Sequence, residues 1–204
     1  MGAREFRVAP EGYVPPGDLT DEEWRAHDRA FRLLHRALHD NVGSAVMRMG
    51  RVTPHIDWSV HARASIDHGL VRHYVAALKS GCRLPPIVTL PDGRIIDGLH
   101  RHAALCAVGR EPQVIVVPPL DDLTALAVST MVNSSIRPTA LGQDAGQVIR
   151  DHLAANPGTD LEELAHDLGV DIEFVRECAR EVELSRHDRE DEDPPPEPPP
   201  HENP

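Results

Sequence analysis

The stretch Arg94-Ile-Ile-Asp-Gly-Leu-His-Arg-His-Ala-Ala-Leu, residues 94–105, gathers the side chains best suited to chemistry. An apolar run ends at Asp97, Gly98 permits a tight turn, and a helical pattern follows. The first N–H groups of a helix lack intrahelical partners and carry the positive end of its dipole, so the turn at Gly98 and Leu99 can hold a phosphate. Arg101 would add a charge-assisted bond to an anion, and His100 a further donor. Asp97, at the strand end, could position magnesium or act as a base; it could equally cap the turn. Many strand-to-helix turns carry glycine and bind nothing, so spacing alone leaves an anion site and a structural turn both open.

Other reactive residue types form no comparable set. His35 and His39 have the i, i+4 spacing of a metal pair, but no third ligand stands at a forcing distance, and no metal site is assigned. Cys82, Cys106 and Cys178 are odd in number and form no CxxC pair, which points away from a disulfide framework and toward a reducing, cytoplasmic setting. Cys106, within AALCAV, reads as a buried small thiol. No Ser–His–Asp arrangement can be inferred.

The elements that must position the 94–105 stretch can be read from punctuation and period. Residues 1–19 hold Pro10, Pro15, Pro16, Gly12 and Gly17 and read as an extended arm. Thr20 and Glu23 make a capping box, and Trp24, Phe31, Leu34 and Leu38 repeat at helical spacing up to Asn41 and Gly43. Arg25, Arg29, Arg32 and Arg36 on this helix read as its solvated face. Val46–Val52 reads as a strand, Trp58–Asp67 as a loop and Leu70–Lys79 as a helix. A hairpin of Ile87–Leu90 and Arg94–Asp97 turns at Pro91-Asp92-Gly93. A helix over Arg101–Val108 and a strand over Gln113–Val117 follow. This order predicts a compact mixed α/β unit. Helices are expected over 121–132, 140–155, 160–168 and 171–184.

The sequence IIDGLHRHAAL, preceded by LPPIVTLPDGR, resembles the central motif of the ParB/sulfiredoxin superfamily. Upstream, Arg63–Asp67 resembles that superfamily's arginine-bearing loop. Downstream, Asn133 and Arg137 in VNSSIRP resemble its asparagine-centred third motif. The resemblance spans about residues 46–140. It implies an α+β chain in which a ParB/sulfiredoxin-like α/β core precedes an all-α helix-turn-helix region. It also implies a nucleotide, CTP or ATP with Mg2+, whose phosphates rest on Gly98, Leu99, His100 and Arg101, with further contacts from Arg63, Asn133 and Arg137. Sulfiredoxins place a nucleophilic cysteine in this turn; here position 99 is leucine, which argues against that chemistry.

Ala165, Gly169 and Val175 lie at relative positions 0, +4 and +10, which resembles a helix-turn-helix. Arg176 and Arg180, one turn apart, are its best DNA-binding candidates. Charge bears on that reading. The chain carries a formal net charge of −12, of which residues 1–150 contribute +1, residues 151–186 −7 and residues 187–204 −6. An acidic recognition helix would repel phosphate, so residues 160–184 could read DNA or bind a partner. The expected organisation is an arm and capping helix over 1–43, the α/β core over 44–120, a helical region over 121–186 and a disordered acidic, proline-rich tail over 187–204. No run is apolar enough to span a bilayer, and the opening residues carry no signal core. The leading expectation is a nucleotide-binding, DNA-binding regulator of transcription or partition, acting as a homodimer. The alternative is a nucleotide-dependent small-molecule kinase, for example of a free amino acid.

Overall fold

The computed structural model describes residues 17–133, 143–168 and 170–190. The arm residues before Gly17 and the tail beyond Glu190 lie outside the described residues. Among the described residues four strands and seven α-helices follow one another as α1 (Asp21–Val42), β1 (Arg48–Gly50), a 3-10 turn (Trp58–Val60), α2 (His68–Lys79), β2 (Ile87–Thr89), β3 (Ile95–Asp97), α3 (Leu99–Ala107), β4 (Val114–Val116), α4 (Asp122–Val132), α5 (Gln143–Ala155), α6 (Leu161–Leu168) and α7 (Ile172–Glu190). The architecture is α+β in the general sense, a small mixed sheet with helices around it.

Local chemistry explains the boundaries. The Thr20 hydroxyl accepts the Glu23 N–H at 3.3 Å, and the Glu23 carboxylate accepts the Thr20 N–H at 2.8 Å. This reciprocal cap satisfies two donors that the first helical turn leaves unpaired. Gly43, at φ 78°, ends α1. Asp67 and Asp121 cap α2 and α4 with their side chains. The strand expected over Val46–Val52 is shorter, Arg48–Gly50. A Cβ on Gly50 would meet the Val116 side chain of the neighbouring strand at 2.2 Å, so glycine allows the approach there. α7 runs on to Glu190, past the boundary that composition suggests for the tail.

The sheet order is β1-β4-β2-β3. β1 pairs antiparallel with β4, β4 parallel with β2, and β2 antiparallel with β3. Alternation along the strands sends Ile87 and Ile95 to one face, where they meet Leu78 of α2 and Ala104 and Leu105 of α3. Val88, Ile96 and Ile115 point to the other face, toward Phe31, Leu34 and Leu38 of α1 and Ala125 and Val128 of α4. Both faces are covered, which explains why these strands read as continuous apolar runs.

α4 is apolar all round and is buried continuously from Ala125 to Thr130. A helix of that composition must be covered on every side. Ala125 and Val128 face the sheet, while Leu126 and Ala127 join Ile149, Leu153, Leu164, Ala165, Leu168 and Val175 in a second core built by α5, α6 and α7. Thus α4 is shared by the α/β core and the helical region. Ala165 and Val175 of the helix-turn-helix spacing both bury in this second core, while the turn glycine, Gly169, lies outside the described residues.

The β2–β3 turn has little tolerance for change. Gly93 sits at φ 97°, and a Cβ there would stand 2.4 Å from the Thr53 carbonyl oxygen. Gly93→Ala should therefore cost roughly 1–3 kcal/mol, read as a lowered urea midpoint with an unchanged slope.

Candidate functional site

The candidate site forms where β3 runs into α3. Asp97 is the last residue of β3, and Gly98 turns the chain at φ 97° into the first turn of α3. α3 begins at Leu99, two residues earlier than its hydrophobic pattern indicates. A recess of about 40 Å3 lies over this turn, lined by His61, Arg63, Asp97, Gly98, Arg101 and Asn133 among others. It has room for a few heavy atoms. The recess opens into a cleft of about 1050 Å3 bounded by α1, α2 and residues 80–85. Tyr74, Asp97, Arg101 and Asn133 line both. The cleft is at the upper end of the size that encloses small-molecule ligands.

Three loops or helix ends thus bring Arg63, Asp97, Gly98, Leu99, His100, Arg101 and Asn133 together. Their roles differ from the simple expectation. Leu99 is 1% exposed, so its side chain belongs to the core, leaving its backbone N–H for the turn. Arg101 Nη2 lies 3.0 Å from Asp97 Oδ2 and also donates to the Pro86 carbonyl at 3.1 Å. The guanidinium folds back over Gly98, where a Cβ would stand 2.9 Å from Nη2. Glycine at 98 therefore serves both the left-handed turn and this close approach. Asp97 spends its carboxylate on Arg101, and no side chain caps the start of α3. Asn133 ends α4 and donates its amide back to the Ser129 carbonyl at 2.8 Å.

His100 departs furthest from expectation. It is buried, and its Nε2 accepts the backbone N–H of Asp67 at 2.9 Å. It is an acceptor for the neighbouring loop, where the sequence suggested a donor to a ligand. His102 points elsewhere on α3, with Nε2 3.5 Å from the Cys106 sulfur. Cys106 is exposed, not buried as its apolar run suggested. The run AALCAV covers a whole helical turn, so one of its positions must face outward.

Arg63 is the charged group left without a counterpart. Among the described residues four arginines are half-buried: Arg63, Arg94, Arg101 and Arg150. Arg94 pairs with Asp92 and Asp122, Arg101 with Asp97, and Arg150 with Glu181. Arg63 has no carboxylate within ion-pair distance among the described residues. Burial lowers its pKa, opposed by the more distant charge of Asp97. Two further donors lack partners there: buried Arg101 Nε and His61 Nε2. His61 is 1% exposed, and its Nδ1 accepts the Arg63 N–H at 3.1 Å. The neutral ring therefore carries its hydrogen on Nε2. An unsatisfied buried donor is costly, so His61 Nε2, Arg101 Nε and the Arg63 guanidinium together describe a recess suited to an acceptor-rich, anionic group.

His61 and Tyr74 escaped the sequence reading. His61 is one of 13 histidines, and nothing in its type marks it out. Its one signal is its place two residues before Arg63. Arg137 lies outside the described residues. Arg176 and Arg180 sit on α7 and line neither the recess nor the cleft. Arg176 is held by Glu173 at 2.6 Å and Glu162 at 3.5 Å, and Arg180 Nε donates to the Arg176 carbonyl at 3.3 Å. Among the described residues no group of three or more His, Cys, Asp or Glu gathers around a metal-sized space. Asp97 is the one carboxylate lining the recess, and a magnesium ion arriving with phosphates needs only one or two from the protein.

No protein-family model and no curated protein matches this chain. The reading of the site therefore rests on its geometry.

Burial drives the pKa of His61 down from 6.5 to about 4. The unfolded chain takes up this proton near 6.5, while the folded chain refuses it until about 4. Between those values acid favours unfolding; above 6.5 this group has no effect. His27, His100 and His102 are shifted in the same direction, chiefly by burial. Stability should fall on acidification by about 1.4 kcal/mol per pH unit for each fully shifted histidine. His61→Asn keeps an acceptor near the Nδ1 position without titrating. It should flatten the slope of urea midpoint against pH below 6.5. An unchanged slope would remove His61 from the account.

Proposed function

We propose that this chain binds a nucleoside triphosphate, CTP or ATP with Mg2+, in the cleft, and that it is a regulatory protein of the ParB/sulfiredoxin kind. The phosphate end of the ligand enters the recess, and the nucleoside occupies the larger cleft beyond Tyr74. The observation that carries this reading is the unpaired, half-buried Arg63 beside two buried donors at the start of α3. A triphosphate supplies what these groups lack, several anionic oxygens at short range. Asp97, held at 3.0 Å by Arg101, is placed to share a magnesium ion with the phosphates.

In this reading α4 carries the state of the site onward. Asn133 at its end lines the recess, and its opposite face packs in the second core with α5–α7. The burial of Ala165 and Val175 supports a helical hairpin in residues 160–184, the scaffold that a DNA-binding role there requires. Arg176, engaged by two glutamates, contributes little to it in this arrangement. A homodimer of such chains is the form in which a helix-turn-helix reads paired half-sites.

One observation favours the alternative, a small-molecule kinase. The cleft is larger than a phosphate recess requires and is lined at its far side by Glu22, Glu23 and Arg29. That mix of charge suits a second, zwitterionic substrate such as an amino acid beside the nucleotide.

A thermal-shift and calorimetry panel of CTP, ATP, ADP and GTP with magnesium tests the site. One nucleotide should raise the melting temperature, since a ligand that binds only the folded state stabilises it. Arg63→Ala should weaken that binding by roughly ten- to a hundredfold, the loss of about 1.5–3 kcal/mol expected of a charged hydrogen bond. Absence of a shift with all four would overturn the nucleotide reading. Turnover that requires an added amino acid would favour the kinase over the regulator.

A further inference from the structure

The segment that carries Arg63 is held in place by three backbone hydrogen bonds. At its start the Ala62 N–H donates to the Ser129 hydroxyl at 3.1 Å, and the Arg63 N–H to His61 Nδ1 at 3.1 Å. At its end the Asp67 N–H donates to His100 Nε2 at 2.9 Å. Between them, residues 64 and 65 are exposed. Among the described residues, the His100 bond is the one hydrogen bond that joins residues 64–67 to α3. Asp67 also caps α2, its Oδ1 accepting the Gly69 and Leu70 N–H groups at 2.7 and 3.1 Å. The His100 bond therefore fixes the point where the Arg63 segment enters α2.

A ring nitrogen that accepts a hydrogen bond carries no hydrogen. His100 can hold Asp67 only while its ring is neutral with the hydrogen on Nδ1. An imidazolium would present N–H to N–H, and the bond would be lost. We propose that His100 is a positioning residue that latches the Arg63 segment to α3 while neutral, so that its protonation frees the segment and weakens anion binding in the recess. The proposal rests on the reading of the recess as an anion site.

The charges around the ring favour the neutral form. His61, Arg63 and Asp67 face it from the loop, and Arg101 from its own helix; Asp97 faces His61 and Arg63 from β3. Burial is the largest influence lowering the pKa of His100, and Arg63 and Arg101 add to it, against Asp67. The latch is therefore closed at neutral pH and opens only on acidification below the ordinary histidine value of 6.5. An imidazolium at this position would also attract the anion directly, so the loss of affinity requires the lost positioning of Arg63 to outweigh that added charge.

The test uses the full chain, with sodium sulfate as the probe at constant ionic strength. Sulfate is tetrahedral and dianionic and does not titrate across the range studied. Hydrogen-exchange protection of the Asp67 amide reads the latch without any ligand. Shifts of the Gly98 and Leu99 amides read sulfate binding. Both are followed at about pH 7.5 and about pH 4.5, the latter well below the ordinary histidine value because burial lowers the pKa of this ring. In the wild-type chain, protection of Asp67 and sulfate affinity should both fall at the lower pH, the affinity by roughly tenfold for about 1.4 kcal/mol of lost positioning. His100→Ala should show the weakened state at both pH values. His100→Gln offers an amide oxygen near the Nε2 position that does not titrate, so it should restore protection and affinity at both.

Equal loss of affinity on acidification in wild type and His100→Gln would overturn the proposal, as would unchanged Asp67 protection in His100→Ala. If His100→Ala does not fold, the comparison of wild type with His100→Gln decides alone. If Asp67 behaves as described but sulfate binds none of the three proteins, the anion site itself fails and the pH-gated binding with it. The latch is then separated from the site reading.

Discussion

The hydroxyl of Ser129 is the point on which the site depends. It is fully buried on α4, donates to the Ile96 carbonyl at 2.7 Å and accepts the Ala62 N–H at 3.1 Å. One oxygen thus joins three parts of the chain: the helix shared by both cores, the strand that ends in Asp97, and the segment that presents His61 and Arg63. A single hydrogen bond contributes only about 1 kcal/mol net, yet removing a bridging group leaves two buried backbone partners unsatisfied at about 1–3 kcal/mol each. The geometry follows from this. β3 cannot shift along α4 without breaking the Ile96 bond, and residues 61–63 cannot leave β3 without breaking the Ala62 bond. Asn133, one turn further on, turns its amide back to the Ser129 carbonyl, so the lip of the recess is tied to the same turn of α4.

Around that fixed point the recess balances charge against burial. Arg101 is neutralised by Asp97 before any ligand arrives, and its guanidinium lies against Gly98 rather than reaching outward. An arginine so engaged shapes the turn, and its Nε is buried without a hydrogen-bond partner. Arg63 brings the uncompensated charge. Its segment is exposed in the middle and pinned at both ends, an arrangement that places a cation beside the turn without surrounding it by carboxylates. A buried arginine with no partner is expensive; Arg63 and Arg101 are both half-buried, and of the two only Arg101 has a carboxylate partner among the described residues.

Much of this fold is legible in the sequence, because its signals are local. Thr20 and Glu23 announce α1, and Pro91-Asp92-Gly93 announces the hairpin. The gathering of Arg63, Asp97, the 98–101 turn and Asn133 in one recess also accords with the residues singled out there. What the sequence withholds is direction. His100 and Arg101 are adjacent, and residue type marks both as anion ligands. Only the path of residues 61–67 across α3 turns His100 into an acceptor, and only the left-handed turn at Gly98 lets Arg101 fold back onto Asp97. Cys106 fails for the same reason, since its apolar neighbours do not say which of them faces the sheet. His61 is marked in the sequence only by standing two residues before Arg63, because its role comes from a hydrogen bond to Arg63 and a cavity formed by distant segments.

The distribution of arginines sets this recess apart from the broader surface. The exposed cations of α1 are partly spent, Arg32 on Asp28 and Arg36 on Asp40. The Arg83 guanidinium pairs with Asp18 at the cleft, while its backbone N–H donates to Glu23. On the acidic hairpin, Arg176 lies between two glutamates. Exposed pairs of this kind are worth little in stability, but each one removes a positive charge from the set available to a ligand. In water the remaining exposed arginines are screened within about 10 Å at ordinary salt. Arg63 is screened less, because half of it is enclosed and the walls beside it are apolar or hydrogen-bonded. In a chain of net charge −12, Arg63 is thus a half-buried cation with no carboxylate in ion-pair distance among the described residues, beside the start of α3. Among the described residues Asp97 is the carboxylate that lines the recess, and it is already engaged by Arg101.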